Sequence, residues 1–319
     1  SDVEKVQHFL PLLARRSKNP MANNSAIPRF VFFGTPKVAS DTLAVLIERG
    51  FVPAIVVTSP DAPSGRGLSF AQSETKSLAL AHGLEVITPD TLDEKTIADM
   101  SALKCDYAIV VAYGKIFPEV LINTFPRGVL NVHYSLLPKY RGATPVEAAL
   151  LAGDTTTGVT IQKMAKKLDA GDIVAQETTE IGKDEGARKL RTRLISIGAN
   201  LLARTIPDYL SGVIVPVPQD HTRATFTKKI IKEDGLLDLA GDPLMNYKKI
   251  KALDAYFFTL RNGKPMRVRI VGARYHDNTL VITRVVPEGK KEMSYDDFLR
   301  GEHTRVERKP RDCGDALNP

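Results

Sequence analysis

The sequence predicts an α/β protein with a doubly wound parallel sheet, followed by a second, smaller β-rich domain. Three observations carry that expectation. From Arg29 onward, apolar runs of strand length alternate with stretches of helical spacing. One such run, Asp106–Ala112, lacks polar alternation, as expected when helices cover both faces of a sheet. Past Val213-Ile214-Val215-Pro216-Val217-Pro218 the texture changes to short β-like runs separated by turn residues. The chain has 319 residues, the length of about two domains.

Taken in order, Arg29–Phe33 is a strand ending at Gly34-Thr35-Pro36, and Ala39–Arg49 is a helix with Leu43, Leu46 and Ile47 on one face. Phe51–Thr58 reads as a strand, Ser73–His82 as a helix, Glu85–Thr88 as a strand and Leu92–Leu103 as a helix. Two more strands follow, Asp106–Ala112 and Gly128–His133, then strand candidates Gly158–Lys163 and Ile173–Glu180. Leu190–Leu210 is a long helix that stops near Pro207 or at Gly212. The prolines at 216 and 218 mark residues 213–225 as a linker. Beyond it come a short helix, Asn246–Leu253, and the β-like runs Ala255–Leu260, Met266–Val271 and Thr279–Val286. Residues 301–319 read as a loose polar tail.

Several function classes drop out. No apolar run approaches the ~18 residues of a membrane helix. Two distant cysteines, Cys105 and Cys313, make neither a disulfide framework nor a zinc site, which favours a reducing compartment. Phe9-Leu10-Pro11-Leu12-Leu13 is too short and broken for a secretory signal, and residues 1–28 read as an N-terminal extension. Met21 is the expected biological start; the lesser reading makes residues 1–20 an organelle-targeting arm. A triphosphate P-loop, a GxGxxG fingerprint, HExxH and GxSxG are all absent.

The net charge of +7 sits almost wholly past residue 220, where 20 basic face 14 acidic residues. Such a basic third either holds a polyanion or is merely a soluble basic domain. Within it, Arg261, Lys264, Arg267 and Arg269 carry four charges with no acid between. Arg267 and Arg269 alternate with Val268 and Ile270, so one strand face would be basic and the other buried. That face could track phosphates, or it could be a sheet edge protected by charge.

One dense polar cluster remains, Asn131-Val132-His133-Tyr134-Ser135-Leu136-Leu137-Pro138-Lys139-Tyr140-Arg141-Gly142. Asn131 and His133, two apart on a strand, share a face at its carboxyl end. An amide and an imidazole there suit stabilisation of a developing oxyanion. Asp169, beside the turn Ala170-Gly171-Asp172, would favour the imidazolium form of His133 and could position an attacking amine or water. His133 alone among the six histidines follows an apolar strand. A strand-end histidine is by itself more often structural; the Asn-X-His run with a rigid proline loop shifts the reading toward chemistry.

Asn131-Val132-His133, Ser135-Leu136-Leu137-Pro138, Tyr140-Arg141-Gly142 and Leu168-Asp169-Ala170-Gly171-Asp172 resemble the signature of the 10-formyltetrahydrofolate-dependent formyltransferases. Gly142-Ala143-Thr144-Pro145 is similar to the branch that formylates methionyl-tRNA. The resemblance runs from about residue 29 to 300. It implies a Rossmann-like catalytic domain over 29–212 and an OB-like, tRNA-binding barrel over 226–300. It also implies that Asn131, His133 and Asp169 are catalytic, without a metal. The folate co-substrate, 10-formyltetrahydrofolate, is expected between the Tyr113-Gly114 turn and the Ser135, Leu136, Leu137, Pro138 loop. Arg66, Arg267 and Arg269 are expected on tRNA. The implied enzyme is a cytoplasmic monomer of translation initiation that formylates initiator methionyl-tRNA. Two alternatives stay open: a formyltransferase acting on a sugar-nucleotide amine, and a non-enzymatic RNA-binding protein. Leu68-Ser69-Phe70 departs from the lysine-bearing loop of the tRNA-formylating branch, and the chain has no Trp.

Overall fold

The computed structural model describes residues 28–64, 69–261 and 263–306. The N-terminal extension with Met21, Arg66 and the tail from 307, including Cys313, lie outside the described residues. The first part of the chain runs β1 (Phe30–Gly34), α1 (Lys37–Glu48), β2 (Ile55–Val57), β3 (Ala62–Ser64), β4 (Ser69–Ala71), α2 (Glu74–Ala81), β5 (Val86–Ile87) and α3 (Glu94–Ala102). It continues through β6 (Tyr107–Val111), α4 (Glu119–Asn123), β7 (Val129–His133), α5 (Pro145–Ala152), β8 (Thr156–Lys163), β9 (Ile173–Glu180) and α6 (Ala187–Leu210).

Among the described residues these strands form a seven-stranded sheet in the order β5-β2-β1-β6-β7-β8-β9. Period-two alternation splits the apolar side chains between two cores. Phe30, Phe32, Tyr107 and Ile109 enter one layer, and Val31, Phe33, Ala108 and Val110 the other. Pairing is parallel from β5 across to β7, as expected. It turns antiparallel at β7–β8 and β8–β9. The loop between β8 and β9 is shorter than the roughly dozen residues a parallel crossover needs. From β1 the chain moves outward to β2 and β5, then crosses to β6 on the other side. The carboxyl ends of β1 and β6 therefore flank a topological switch point, where open α/β sheets bind ligands.

One expected boundary moves and one holds. The strand expected over Phe51–Thr58 is confined to Ile55–Val57. Helix α6 passes through Pro207 and ends at Leu210, with Gly212 left-handed at φ 80° just beyond. Ser73 and Asp93 cap α2 and α3 by accepting the amides of Lys76 and Thr96.

The second part holds α7 (Pro243–Ala252), β10 (Tyr256–Arg261), β11 (Lys264–His276), β12 (Thr279–Pro287), β13 (Met293–Ser294) and α8 (Tyr295–Val306). The strands make a separate antiparallel sheet, β10-β11-β12-β13, and Leu237 extends it by donating its amide to the Tyr256 carbonyl at 2.8 Å. Phe257, Val268, Ile270, Val285 and Phe298 fill its core. Helix α7 begins at Pro243, earlier than expected, because Asp242 caps it and accepts the Met245 amide at 2.6 Å. The tail expected to be loose from Gly301 is instead helical to Val306. Ser294 starts that helix, accepting the Asp297 amide at 3.1 Å and donating to its carboxylate at 2.6 Å. The two parts are joined by side chains of α7: the Tyr247 hydroxyl donates to Asp184 at 2.6 Å and Lys251 to the Lys183 carbonyl at 2.8 Å.

Candidate active site

Antiparallel pairing of β7 with β8 sets Asn131 opposite Gln162 and His133 opposite Thr160. The loop leaving β8 then brings Asp169 back over the end of β7. Gly171 permits that return, since a Cβ there would lie 1.8 Å from the Lys163 carbonyl oxygen. The Asp169 carboxylate is the hub. Its Oδ2 accepts the Gly142 amide at 2.8 Å and faces His133 Nδ1 at 3.6 Å. Its Oδ1 accepts from Gln162 Nε2 at 2.8 Å, with Asn131 Nδ2 at 3.5 Å. The three residues expected to act together do meet, around one carboxylate.

Gln162 was not foreseen. It lies between Ile161 and Lys163 near the end of a strand, and only the antiparallel register carries it to Asp169. It is buried, and its Oε1 has no partner among the described residues.

The expected charge on His133 is corrected. The ring is 5% exposed, and Nε2 lies 2.9 Å from the Tyr140 carbonyl. A carbonyl only accepts, so Nε2 carries the proton and the Nδ1 lone pair looks toward Asp169. Burial pushes the imidazole below its ordinary 6.5 and outweighs the Asp169 charge and the Tyr140 carbonyl, which pull upward; Arg141 adds to the lowering. At neutral pH His133 is therefore a neutral imidazole with an acceptor at Nδ1.

Tyr140 and Asp169 take φ of 61° and 45°, a region that costs residues with side chains about 1–3 kcal/mol each. Bonds around them hold them there. The Tyr140 hydroxyl donates to Asp154 at 2.8 Å, and its amide donates to Thr225 Oγ1 at 2.8 Å.

The Ser135–Pro138 loop turns much of its polarity inward. Ser135 Oγ donates to the Lys139 carbonyl at 2.6 Å, and the Leu137 amide donates to Thr160 Oγ1 at 3.1 Å. Gln176 Nε2 donates to the Leu137 carbonyl at 2.9 Å. Ser135 and Leu137 are buried framework, whereas Leu136 and Pro138 are half-exposed. At the end of β6, Gly114 is exposed with φ 83°. Next to it, the buried Tyr113 hydroxyl has no partner among the described residues, and burial pushes its pKa up to about 12, so it remains a donor. No group of three or more His, Cys, Asp or Glu among the described residues is placed to hold a metal ion.

On the second sheet, β11 buries Met266, Val268 and Ile270; on the opposite face Arg269 is exposed and Arg267 half-buried, its Nε buried without a hydrogen-bond partner among the described residues. The strand lies between β10 and β12, so its charges do not guard a sheet edge. The Arg267 guanidinium sits 4.2 Å from the centre of the Tyr256 ring, and exposed Phe258 lies opposite Arg267 in the register. These residues belong to a different sheet from the Asp169 cluster. No helix among the described residues is long and apolar enough to cross a membrane.

The formyl transferase family model matches residues 28–206. The methionyl-tRNA formyltransferase of Chloroflexus aurantiacus is 39% identical over 261 residues, covering 81% of this chain and 84% of that protein. That of Halalkalibacterium halodurans is 36% identical over 299 residues, covering 86% and 94%. Among solved structures, an N-formyltransferase from Helicobacter canadensis in complex with folinic acid and dTDP-3-aminofucose superposes with a TM-score of 0.59 at 16% identity, covering 84% of this chain and 99% of that one.

Proposed function

This chain belongs to the formyl transferase family, and from that premise we propose that it moves the formyl group of 10-formyltetrahydrofolate onto the α-amine of methionyl-tRNA. The observation that carries this reading is the meeting of Asn131, His133 and Asp169 around one carboxylate at the carboxyl end of β7. The extent and identity of the match to methionyl-tRNA formyltransferases favour tRNA as the acceptor over an amino sugar.

When bound, the folate supplies an activated formyl carbon. Asn131 Nδ2 donates to the formyl oxygen as it gains negative charge. The attacking amine must shed a proton, and the site offers two acceptors face to face, His133 Nδ1 and the Asp169 carboxylate, 3.6 Å apart. The pair takes up one proton between them and returns it to the departing nitrogen. A neutral resting imidazole suits this role better than the imidazolium, which has no lone pair to offer.

The folate is placed between the turn after β6 and the loop after β7. Tyr113 is a buried donor without a partner among the described residues, and Leu136 and Pro138 offer apolar surface for a flat ring. Arg267 and Arg269 face tRNA phosphates. The test is a formylation assay with 10-formyltetrahydrofolate, charged initiator tRNA and a nucleotide-linked amino sugar as competing acceptor. Formyl-methionyl-tRNA is the expected product; formylation of the sugar alone would reassign the acceptor.

A further inference from the structure

Asp169 is also held from a second side, by the stretch that joins the two sheets. Gln219 is buried, 6% exposed, and its amide is fully used. Nε2 donates to the Asp169 carbonyl at 2.9 Å and to the Gly171 carbonyl at 2.6 Å. Oε1 accepts from Arg141 Nη2 at 2.7 Å and Nε at 3.3 Å. The backbone around Gln219 is stitched down as well. Val217 and Ile173 exchange amide–carbonyl bonds of 2.8 Å. Beyond it, the Arg141 amide donates to the Thr225 carbonyl at 2.8 Å and the Thr227 amide to the Arg141 carbonyl at 2.7 Å. The residues expected to be a linker thus run as a strand-like strap beside the loop of Tyr140, Arg141 and Gly142.

Arg141 is buried, and its guanidinium forms no ion pair with a carboxylate among the described residues. Its guanidinium is met by Gln219 Oε1 and by the lone pair of His221 Nδ1 at 2.8 Å. One amide therefore ties this cation to the turn that carries Asp169.

We infer that Gln219 is a positioning residue: it clamps the Asp169–Gly171 turn from behind and so sets where the Asp169 carboxylate stands between Asn131 and His133. The inference rests on the reading that Asp169 takes part in proton transfer. Asp169 has a left-handed backbone, and two carbonyls of its turn converge on a single NH2 group. Without those two donors, carbonyl oxygens would face each other unpaired and the turn would relax. The carboxylate sits 3.6 Å from His133 Nδ1 and 3.5 Å from Asn131 Nδ2, so a small displacement ends both contacts.

Gln219→Glu tests the donor half of the amide. It keeps an oxygen for Arg141 and replaces both hydrogens with an acceptor. Gln219→Met keeps the volume and removes every bond. Each variant is expected to lower kcat by ~10–100-fold, the scale of a misplaced catalytic group, with KM for 10-formyltetrahydrofolate within ~3-fold of the parent. Thermal melting of Gln219→Glu should stay near the parent, since its pairing with Arg141 remains. The same substitutions are then made on Asp169→Asn. There they should change kcat by less than ~2-fold, because the carboxylate they position is already gone. Parent kcat in Gln219→Glu, or an equal loss in both backgrounds, overturns the positioning role. If Asp169→Asn is impaired while Gln219→Glu is not, only this inference fails; if Asp169→Asn alone keeps parent kcat, the proton-transfer reading of Asp169 fails and takes the inference with it.

Discussion

At the carboxyl end of β7 the Asp169 carboxylate receives a backbone amide and a glutamine amide at 2.8 Å each, with an imidazole nitrogen at 3.6 Å. On the outer face of β11 the Arg267 guanidinium lies on a tyrosine ring, and neither the Arg267 nor the Arg269 guanidinium forms an ion pair among the described residues; the nearby Glu288 carboxylate accepts the Arg267 backbone amide at 3.4 Å. The first charge is surrounded by the protein's own dipoles before any substrate arrives. The second is left for water or a partner to neutralise. A group that must stabilise a transition state gains from fixed, desolvated neighbours, which need no reorganisation during the reaction. A group that grips a phosphate backbone gains from being solvated and unpaired, since binding then releases counterions. The two regions should accordingly fail differently when altered.

The largest effect belongs to the first region. Asn131→Ala should lower kcat by ~100-fold or more, the usual scale for loss of an oxyanion donor. Melting should change little, because Asn131 is only half-buried at a strand end. Steady-state formylation and a thermal melt check both. Gln162→Leu should follow with a loss of about 10-fold in kcat and unchanged KM for tRNA, since it removes one of the two close donors to Asp169. A rise in KM for tRNA with unchanged kcat would move Gln162 from the first region to the second.

In the second region, Arg267→Gln with Arg269→Gln should weaken tRNA binding and flatten its salt dependence by about one to two units of logarithmic slope. kcat at saturating tRNA should hold. Parent affinity at every salt concentration would remove this strand from the tRNA surface.

Why the two regions were unequally legible follows from their geometry. Asn131 and His133 are two apart on one strand, and the alternation of Arg267 and Arg269 with Val268 and Ile270 is likewise local, so period two reveals both faces. Gln162 and Gln219 reach Asp169 through an antiparallel register and a returning strap, and neither has a local pattern. Ser135 and Leu137 stand out as part of a proline loop, but their bonds to Lys139, Thr160 and Gln176 depend on which strand lies underneath. The charge of His133 was misjudged for a related reason. Sequence places a carboxylate near it, whereas burial, which decides the sign, is a property of the packed sheet.

That sign has a small thermodynamic consequence. A histidine whose pKa is lower in the folded than in the unfolded chain binds more protons when unfolded, so stability rises with pH through that window. The His133 contribution is fully present above about 6.5 and is lost as pH falls through its lowered folded value. Melting of the parent should decline on acidification below that point, and His133→Gln should lack this part of the decline. The acid limb of kcat should likewise lie below 6.5, because protonation removes the Nδ1 acceptor. An acid limb above 6.5 would restore the imidazolium reading.

The most direct measurement is a single turnover of labelled formyl from 10-formyltetrahydrofolate to saturating methionyl-tRNA by Asp169→Asn, with tRNA affinity measured in parallel. Transfer at least ~100-fold slower than in the parent, with tRNA bound as tightly, is the expected result. Transfer at the parent rate would show that the chemistry does not run through the carboxylate at the end of β7.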